Sequence, residues 1–353
     1  MIFLQTTPYL NLSGALLLPI AIWLILGRYF VNLMKYWQKH GQPIRDLGPE
    51  LHKKKSGTPS MGGLMLIFNI ILSVLIFSEN YGPYIFSSIF VLFGYGTLGF
   101  LDDWAKIKKN NHIGIKPKAK LLIQVLISLV VLWVLQNEAN FNKFSIWIPI
   151  ANVSINLGYL YPIFACFVII GSSNAVNLTD GIDGLASLLI TISFSAILLI
   201  CFIIGTKSCY GSNLLHGFSF SSSQLSQIAI VCCAVIGSSI GFLWFNTYPA
   251  SIFMGDTGSL SLGGLFGTLG IILHIEILIA VIGIIFVIET LSVIIQVGYF
   301  KYSNGKRIFL MTPIHHHFEK LGLHESEIVT KFAIITFISS TIALVSFIVE
   351  CVS

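Results

Sequence analysis

The sequence predicts an all-α integral membrane protein, a bundle of about ten transmembrane helices. Three observations support this prediction. The chain of 353 residues is 55% hydrophobic and only 10% charged, whereas a soluble domain carries roughly a quarter charged residues. Its mean hydropathy is +0.86. Its apolar residues are also gathered into stretches of about 20, the length with which a helix crosses the hydrocarbon layer.

Ten such apolar stretches follow one another, and each is predicted to form one transmembrane helix. The eighth and ninth stretches are almost continuous, so the boundary between them is the least defined. We find no internal repeat, low-complexity linker or soluble domain, and residues 1–353 are therefore predicted to form a single polytopic domain. The predicted spans are residues 14–36, 60–79, 84–101, 119–136, 157–174, 184–205, 226–245, 257–275, 277–299 and 330–352.

The distribution of lysine and arginine predicts the orientation of the bundle. Seventeen of these residues fall in three connections, residues 35–55, 106–120 and 301–331, which lie on one side of a ten-span bundle. The opposite side holds only Lys143 and Lys207. Because cytoplasmic loops retain positive charge, these three connections are predicted to be cytoplasmic and both termini extracytoplasmic. The net charge of +5 therefore reflects topology and membrane lipid and does not indicate a nucleic-acid partner.

Two adjacent carboxylates, Asp102 and Asp103, close the third predicted span. Adjacent carboxylates at a membrane boundary repel each other and are costly to desolvate, so a divalent cation or a shared proton would relieve them. Lys106 lies one helical turn away, so an ordinary ion pair at a solvated helix end is the alternative interpretation. The cluster alone does not decide between the two.

A second polar cluster, residues 174–184, connects two apolar spans. Glycines in this connection permit tight turns and close approach of the backbone to a ligand. A plain turn would need fewer hydrogen-bond acceptors, so the cluster is predicted to bind a ligand. Its candidate residues are Asn174, Asn177, Asp180, Gly181 and Asp183.

A third cluster runs from Asn246 through Phe253 to Asp256. Pro249 and the nearby glycines end one helix, and Asp256 opens the next predicted span. Asp256 could be a simple N-cap, a position that aspartate fills well. A helix N-terminus also favours phosphate, and a carboxylate at that point could hold Mg²⁺ against the phosphate. Both interpretations remain open at this stage.

The histidine and cysteine patterns do not favour a zinc site. His315, His316 and His317 are consecutive, whereas zinc sites use spacings that return side chains to one point. The histidines are predicted to act as neutral donors or general acids toward phosphate. The six cysteines form no C-x-x-C pair and fall mostly in apolar stretches, so they are predicted to be small buried apolar side chains.

Basic residues accompany the acidic clusters on the predicted cytoplasmic side. Lys55 precedes Ser60 in a glycine-rich stretch that enters the second span, and Lys118 lies in the loop that follows Asp102 and Asp103. Attraction to anionic lipid, about 1 kcal/mol for each lysine, explains part of this charge. Carboxylates with a divalent cation and fixed positive charges are also what phosphoryl transfer requires. The clusters together therefore predict phosphoryl transfer beside an apolar bundle that could hold a lipid tail.

Five stretches of the sequence resemble the polyprenyl-phosphate N-acetylhexosamine-1-phosphate transferases, and among them the phospho-N-acetylmuramoyl-pentapeptide transferases of bacterial cell-wall synthesis. They extend over nearly the whole chain in the family's order. The last stretch, MTPIHHHFE, is the most discriminating, because relatives that transfer N-acetylglucosamine phosphate carry a different His-rich loop. The stretches read KKKSGTPSMGG, FLDDWAKIKKN, NAVNLTDGIDGLA, NTYPASIFMGDTGS and MTPIHHHFE.

The resemblance implies a reaction, its partners and its location. UDP-N-acetylmuramoyl-pentapeptide and undecaprenyl phosphate would give undecaprenyl-diphospho-N-acetylmuramoyl-pentapeptide (lipid I) and UMP, with Mg²⁺ as cofactor. The protein would lie in the bacterial inner membrane with its active site on the cytoplasmic face. The sequence does not determine the oligomeric state, and a homodimer is one arrangement that it permits.

The resemblance also implies roles for individual residues. Asp256 and Asp180 would hold Mg²⁺, and Asp102 and Asp103 would prepare the lipid phosphate, one of them as base. His315 would join these aspartates as a catalytic residue. The residues implied in substrate binding are Lys55, Ser60, Lys106, Lys118, Asn174, Asn177, Asp180, Gly181, Asp183, Asn246, Phe253, His316 and His317.

The same residues are compatible with two mechanisms, and three other functions are considered as alternatives. Direct displacement by the lipid phosphate is favoured over a covalent phospho-sugar enzyme, because a phosphate held by lysine and Mg²⁺ is already a nucleophile. A sister transferase would differ in taking UDP-N-acetylglucosamine. Residues 180–184 fit the D-x-x-D-G start of the CDP-alcohol phosphatidyltransferase motif. That motif continues with Ala-Arg, whereas this sequence has Ser187 and Leu188 at those positions. An ion-coupled transporter could use Glu289 and Arg28, but it would place its charges near the midplane rather than at one surface.

Overall fold

The computed structural model describes residues 3–38, 57–109, 114–136, 138, 144–148, 153–205 and 220–352. These ranges form twelve α-helices and one small β-hairpin, with a 3₁₀ turn at Gly158–Leu160. The helices are α1 Phe3–Trp37, α2 Gly63–Phe77, α3 Pro83–Lys109, α4 Pro117–Leu135, α5 Tyr161–Thr179, α6 Leu185–Ile204, α7 Ser222–Asn246, α8 Gly255–Leu273, α9 Glu276–Ile282, α10 Ile284–Tyr302, α11 Ile314–Lys320 and α12 Glu325–Val352.

The predicted all-α membrane bundle is confirmed. Nine of the described helices are long and apolar enough to cross a membrane. The helix α2 is apolar but has only 15 residues, which is short for a membrane span. Each of the ten predicted spans corresponds to a helix in this set, and the chain is a multi-pass membrane protein.

The structure differs from the prediction at two places. The predicted ninth span, residues 277–299, is broken at Gly283 into the short helix α9 and the longer helix α10. Its apolar pattern continues through the break, so hydropathy alone gives no sign of it. The strands β1 (Ser145–Ile148) and β2 (Val153–Asn156), which were not predicted, pair as an antiparallel hairpin between α4 and α5.

Helix α8 lies at the centre of the bundle and is almost entirely buried. It packs chiefly against α3 and α5, while a second group joins α7 to α1 and α6. Small residues allow this close packing, as is usual for membrane helices. A β-carbon added to Gly263 would lie 2.6 Å from the carbonyl oxygen of Ser172, and one at Gly267 would lie 2.8 Å from the Cα of Ile169.

The same kind of contact brings the end of α3 to the beginning of α8. A β-carbon at Gly99 of α3 would collide with backbone atoms of Asp256 and Thr257. Because Gly99 permits this approach, Asp102 and Asp103, about one helical turn further along α3, reach the first turn of α8. The packing of two apolar helices thus sets the distance between the first and third polar clusters.

Candidate active site

Asp103 fixes the beginning of α8. It lies near the carboxyl end of α3 and is 3% exposed. Its Oδ1 accepts a hydrogen bond from the backbone N–H of Asp256 (3.2 Å), and its Oδ2 accepts from the backbone N–H (3.0 Å) and the hydroxyl (2.8 Å) of Thr257. N–H groups in the first turn of a helix have no partner within the helix and form the positive end of its dipole. Asp103 therefore supplies the cap that α8 lacks within its own sequence.

Asp256, in the first turn of α8, meets two lysines from different helices. Its Oδ2 accepts hydrogen bonds from Lys106 Nζ of α3 at 3.0 Å and from Lys120 Nζ of α4 at 2.8 Å. The Oδ2 of Asp102 lies 2.6 Å from Lys106 Nζ and 3.8 Å from Lys120 Nζ, while its Oδ1 accepts the N–H of Ile115 at 2.7 Å. The two ammonium groups thus bridge two carboxylates, and charge-assisted hydrogen bonds hold three helix ends together.

Two asparagines of α5 extend this network. Asn177 Nδ2 donates to Asp256 Oδ1 and to the hydroxyl of Ser259, both at 2.9 Å. Asn174, one turn earlier, donates to Gln124 Oε1 of α4 at 3.1 Å. Both side chains therefore orient the network, and Asn177 occupies the second oxygen of Asp256.

Asp180 follows α5 and lies in the turn that leads to α6. Burial raises the pKa of its carboxyl to about 8, and the negative charges of Asp256, Asp103 and Asp183 add to this increase. The backbone N–H of Gly255 donates to it and opposes the shift. Another positive charge near Asp180 would therefore stabilise its ionised form.

The turn that carries Asp180 is held in place by Asp183 and Asn246. Asp183 is 4% exposed, accepts the N–H of Ala250 at 2.9 Å and donates its own N–H to Glu325 Oε2 at 3.3 Å. Asn246, at the end of α7, accepts the N–H of Gly184 at 3.2 Å. The second and third predicted clusters are therefore joined by backbone N–H groups of each that donate to a side chain of the other.

The stretch before α2 packs against the loop before α8. Phe253 accepts the N–H of Gly62 through its carbonyl oxygen at 2.9 Å. The backbone N–H of Ser60 donates to Gln38 Oε1 at 2.8 Å, and the Ser60 hydroxyl is buried. Ser60 and Phe253 are thus brought to the same end of the bundle as the aspartates. Lys55 lies outside the described residues.

The three consecutive histidines have three different partners. His315 Nδ1 lies 3.0 Å from Glu289 Oε1, and both side chains are completely buried. His316 Nδ1 lies 2.6 Å from Glu319 Oε2. His317 Nδ1 accepts a backbone N–H from the preceding loop at 3.2 Å. The rings of His315 and His316 are in edge-to-face contact, with centroids 4.1 Å apart, and of the three histidines only His315 is fully buried.

Sequence reasoning missed one lysine of the site. Lys118 is exposed in the first turn of α4, whereas Lys120, two residues later, reaches Asp256. Residues two positions apart point in very different directions on a helix, so the choice between them requires the helical phase. The start of α4 at Pro117, which is favoured at a first helical position, was the signal that could have given that phase.

Asp102, Asp103, Asp180, Asp256, Lys106 and Lys120 together form what we call the carboxylate–lysine cluster. When all six are ionised, four negative charges face two positive charges in a largely buried space. In the described ranges no three His, Cys, Asp or Glu side chains stand in a metal-ligand arrangement. A protein need not provide one for Mg²⁺, which is commonly bound by one or two carboxylates together with substrate phosphates and water.

The free cysteines agree with the sequence-based prediction where the structure describes them. Cys201, Cys232 and Cys233 are buried and Cys166 is partly buried, all as free thiols. Cys209 and the side chain of Cys351 lie outside the described part. The thiols that are described lie within the helical bundle, and none of them belongs to the carboxylate–lysine cluster.

Comparisons with known proteins identify the family. The family described as glycosyl transferase family 4 matches residues 85–274. The phospho-N-acetylmuramoyl-pentapeptide-transferase of Rickettsia prowazekii (strain Madrid E) is 45% identical over 336 residues, which cover 94% of this chain and 91% of the relative. The enzyme of the same name from Rickettsia felis (strain ATCC VR-1525 / URRWXCal2) is 44% identical over the same shares. This chain therefore belongs to the phospho-N-acetylmuramoyl-pentapeptide transferase family, within glycosyl transferase family 4.

Proposed function

We propose that this protein transfers phospho-N-acetylmuramoyl-pentapeptide from its UDP-linked precursor to undecaprenyl phosphate, giving lipid I and UMP. Two relatives that match 94% of the chain carry the name of that transferase. The observation that carries the proposal is the carboxylate–lysine cluster at one end of an apolar bundle. It joins fixed positive charges to carboxylates at a place that both a soluble anionic donor and a membrane-bound phosphate could reach.

The residues present fit a magnesium ion. Asp180 and Asp256 are the proposed ligands, because oxygen ligands suit this hard cation, and burial together with the neighbouring carboxylates raises the pKa of Asp180. When bound, Mg²⁺ would neutralise charge on the donor diphosphate. Lys106 and Lys120 hold Oδ2 of Asp256 in position, and Asn177 fixes its Oδ1.

The hydrogen bonds in the cluster favour direct displacement. Asp103 has both oxygens engaged by N–H groups of α8, and Asp256 has both engaged by Asn177 and the lysines. Carboxylates held in this way are poor nucleophiles, so a covalent phospho-sugar intermediate is disfavoured on Asp103 and Asp256. In the proposed step an oxygen of the lipid phosphate attacks the β-phosphorus of the UDP-sugar. The bond from that phosphorus to the bridging oxygen breaks, and UMP leaves.

Asp102 is the better candidate for the base that prepares the lipid phosphate. Its Oδ2 faces the two lysines, at 2.6 and 3.8 Å, on the side where an incoming phosphate would be attracted. Asp103 already accepts hydrogen bonds from the first turn of α8, so its proposed role is to hold that turn in place.

The donor would be bound on the other side, between the turn of Asp180 and the histidines. The proposed binding residues there are Asn174, Gly181, Asp183, Asn246, Phe253, His316 and His317, with Ser60 and Lys118 at the edge. Lys55, outside the described residues, is also a proposed binding residue.

We further propose that this end of the bundle faces the cytoplasm of a bacterial inner membrane. The carboxyl ends of α3 and α5 and the amino ends of α4, α6 and α8 all contribute to the cluster or its supporting turn, so they share one side. The lysine- and arginine-rich connections join helices at that same side, in agreement with cytoplasmic retention of positive charge. A homodimer remains compatible with this arrangement.

The first test is donor choice by the purified protein. We expect product formation from UDP-N-acetylmuramoyl-pentapeptide and undecaprenyl phosphate, with UMP released in equal amount. UDP-N-acetylglucosamine at the same concentration should give at least about tenfold less product, which corresponds to a difference of about 1.4 kcal/mol in activation free energy. Lipid product and UMP would be measured separately. A clear preference for UDP-N-acetylglucosamine would assign the chain to the sister activity instead.

Lys120→Met is expected to reduce turnover by about 10²-fold, because it removes one of two ammonium groups that face developing negative charge. The methionine keeps the length of the apolar stem. The matched control is Lys108→Met, which removes an exposed lysine of α3 outside the cluster and should change turnover by less than about twofold. Equal effects of the two substitutions on initial rate would show that only general surface charge matters.

A further inference from the structure

Glu289 is a buried carboxylate to which the proposed reaction assigns no role. It lies in α10, one of the helices able to cross the membrane, and its side chain is completely buried. An ionisable residue within a membrane span is costly and requires a specific partner. The partner of Glu289 therefore indicates what the residue does.

Both carboxylate oxygens of Glu289 contact a single residue, His315. Oε1 lies 3.0 Å from the ring atom Nδ1, and Oε2 lies 3.5 Å from the backbone nitrogen. An ionised carboxylate accepts hydrogen bonds and donates none, so this contact assigns the proton of the imidazole to Nδ1. One side chain of α10 thus holds both the ring and the backbone of His315.

Fixing Nδ1 determines where the other ring nitrogen points. His315 Nε2 is buried and has no hydrogen-bond partner among the described residues. It lies against Gly181, where an added β-carbon would collide with Nε2. Gly181 directly follows Asp180, the proposed magnesium ligand. An unpaired polar atom in this position costs free energy unless a ligand or water satisfies it.

We infer that Glu289 is a positioning residue, which holds His315 through Nδ1 so that Nε2 meets a polar group of the sugar-nucleotide donor at the Asp180-Gly181 turn. This inference rests on the proposed function for the identity of the donor. A carboxylate that orients a histidine through its second nitrogen is a common arrangement in catalytic and metal sites. The neighbouring His316 is held by Glu319 of its own helix, so it does not share this link between α10 and α11.

A double-mutant cycle tests whether Glu289 acts through His315. His315→Ala is expected to lower kcat by about 10²-fold, and Glu289→Leu by about 10- to 100-fold, the range usual for partners that orient such a side chain. Leucine suits a buried site in a membrane helix. The double variant should stay within about threefold of His315→Ala, because the carboxylate has nothing left to position. Effects that multiply in the double variant would overturn the inference.

Two further variants separate positioning from folding. Glu289→Gln keeps an oxygen that accepts the Nδ1 proton and should recover at least about a third of wild-type kcat. Thr290→Val changes the next residue of α10 and removes only a hydroxyl bonded within the helix, so it should leave kcat unchanged. If Glu289→Gln were as inactive as Glu289→Leu while thermal unfolding remained normal, the hydrogen bond would not be the cause.

The hydrogen bond itself is measured without the reaction. In wild-type protein with ¹⁵N-labelled histidine, the resonances that disappear in His315→Ala should show a proton on Nδ1 and none on Nε2. Glu289→Leu should remove that preference, whereas Thr290→Val should preserve it. A wild-type His315 with its proton on Nε2 would refute the inference. Absence of lipid product from wild-type enzyme would instead refute the proposed function, and the nitrogen spectrum would still report on the contact.

Discussion

Asp256→Asn is expected to reduce formation of the lipid-linked product by about 10³-fold, with no recovery when Mg²⁺ is added. In the wild type, Asp256 Oδ2 accepts from Lys106 and Lys120, and Oδ1 accepts from Asn177. An amide group places a donor on one of these two sides, so in either orientation it faces another donor. It also removes a negative charge from a proposed cation site. Losses of two to three orders of magnitude are typical when one such group is removed.

The measurement is initial rate over a titration of Mg²⁺. Wild-type activity should disappear in excess chelator and return when Mg²⁺ is restored, while Asp256→Asn should stay inactive at every concentration. The matched control is Glu276→Gln. Glu276 is also buried but lies beyond the opposite end of α8, where it accepts a hydrogen bond from the Tyr161 hydroxyl at 2.6 Å, and its amide should preserve activity. Near-normal rates for Asp256→Asn would remove this residue from the metal role.

The adjacent aspartates are expected to give different results when each is changed to asparagine. Asp103→Asn should lower turnover by about 10²-fold and also lower the free energy of unfolding by about 2 kcal/mol, because an amide nitrogen would face an N–H group in the first turn of α8. Asp102→Asn should lower turnover to a similar extent with a smaller change in stability. Its remaining oxygen still accepts the N–H of Ile115, and Lys106 still pairs with Asp256.

Thermal unfolding in detergent, followed by tryptophan fluorescence, would be measured beside turnover for both variants. A third variant, Thr257→Val, removes only the hydroxyl that Asp103 accepts and should give a smaller loss of stability than Asp103→Asn. If Asp103→Asn left the unfolding midpoint unchanged while abolishing turnover, Asp103 would act in the chemistry and not as the cap of α8.

The all-α membrane bundle was predictable because each span needs a long apolar stretch, and such stretches are evident without any tertiary information. The break at Gly283 was not predictable, because apolar residues continue on both sides of it. Within the site, the residue types were evident but their partners were not. Asp102 and Asp103 are neighbours in sequence, yet one contacts lysines and the other caps α8.

Two further residues show why partners require the structure. Lys118 and Lys120 are equivalent by composition, and only the phase of α4 directs Lys120 toward Asp256. Glu289 stood out as an ionisable residue inside a span, which suggested a transport pathway. Its contact with His315 depends on how α11 returns to α10 after a loop, and no local pattern encodes that return.

The glycines that let α3 and α5 approach α8 give the reaction centre its mechanical support. A side chain at Gly99 or Gly263 would push neighbouring backbones apart, and the displacement would be transmitted along a nearly rigid rod to Asp256. Positions that never touch a reactant thus determine the spacing of the groups that do. An inhibitor or a lipid that wedged these helices apart from within the membrane could therefore stop catalysis without contacting the carboxylate–lysine cluster.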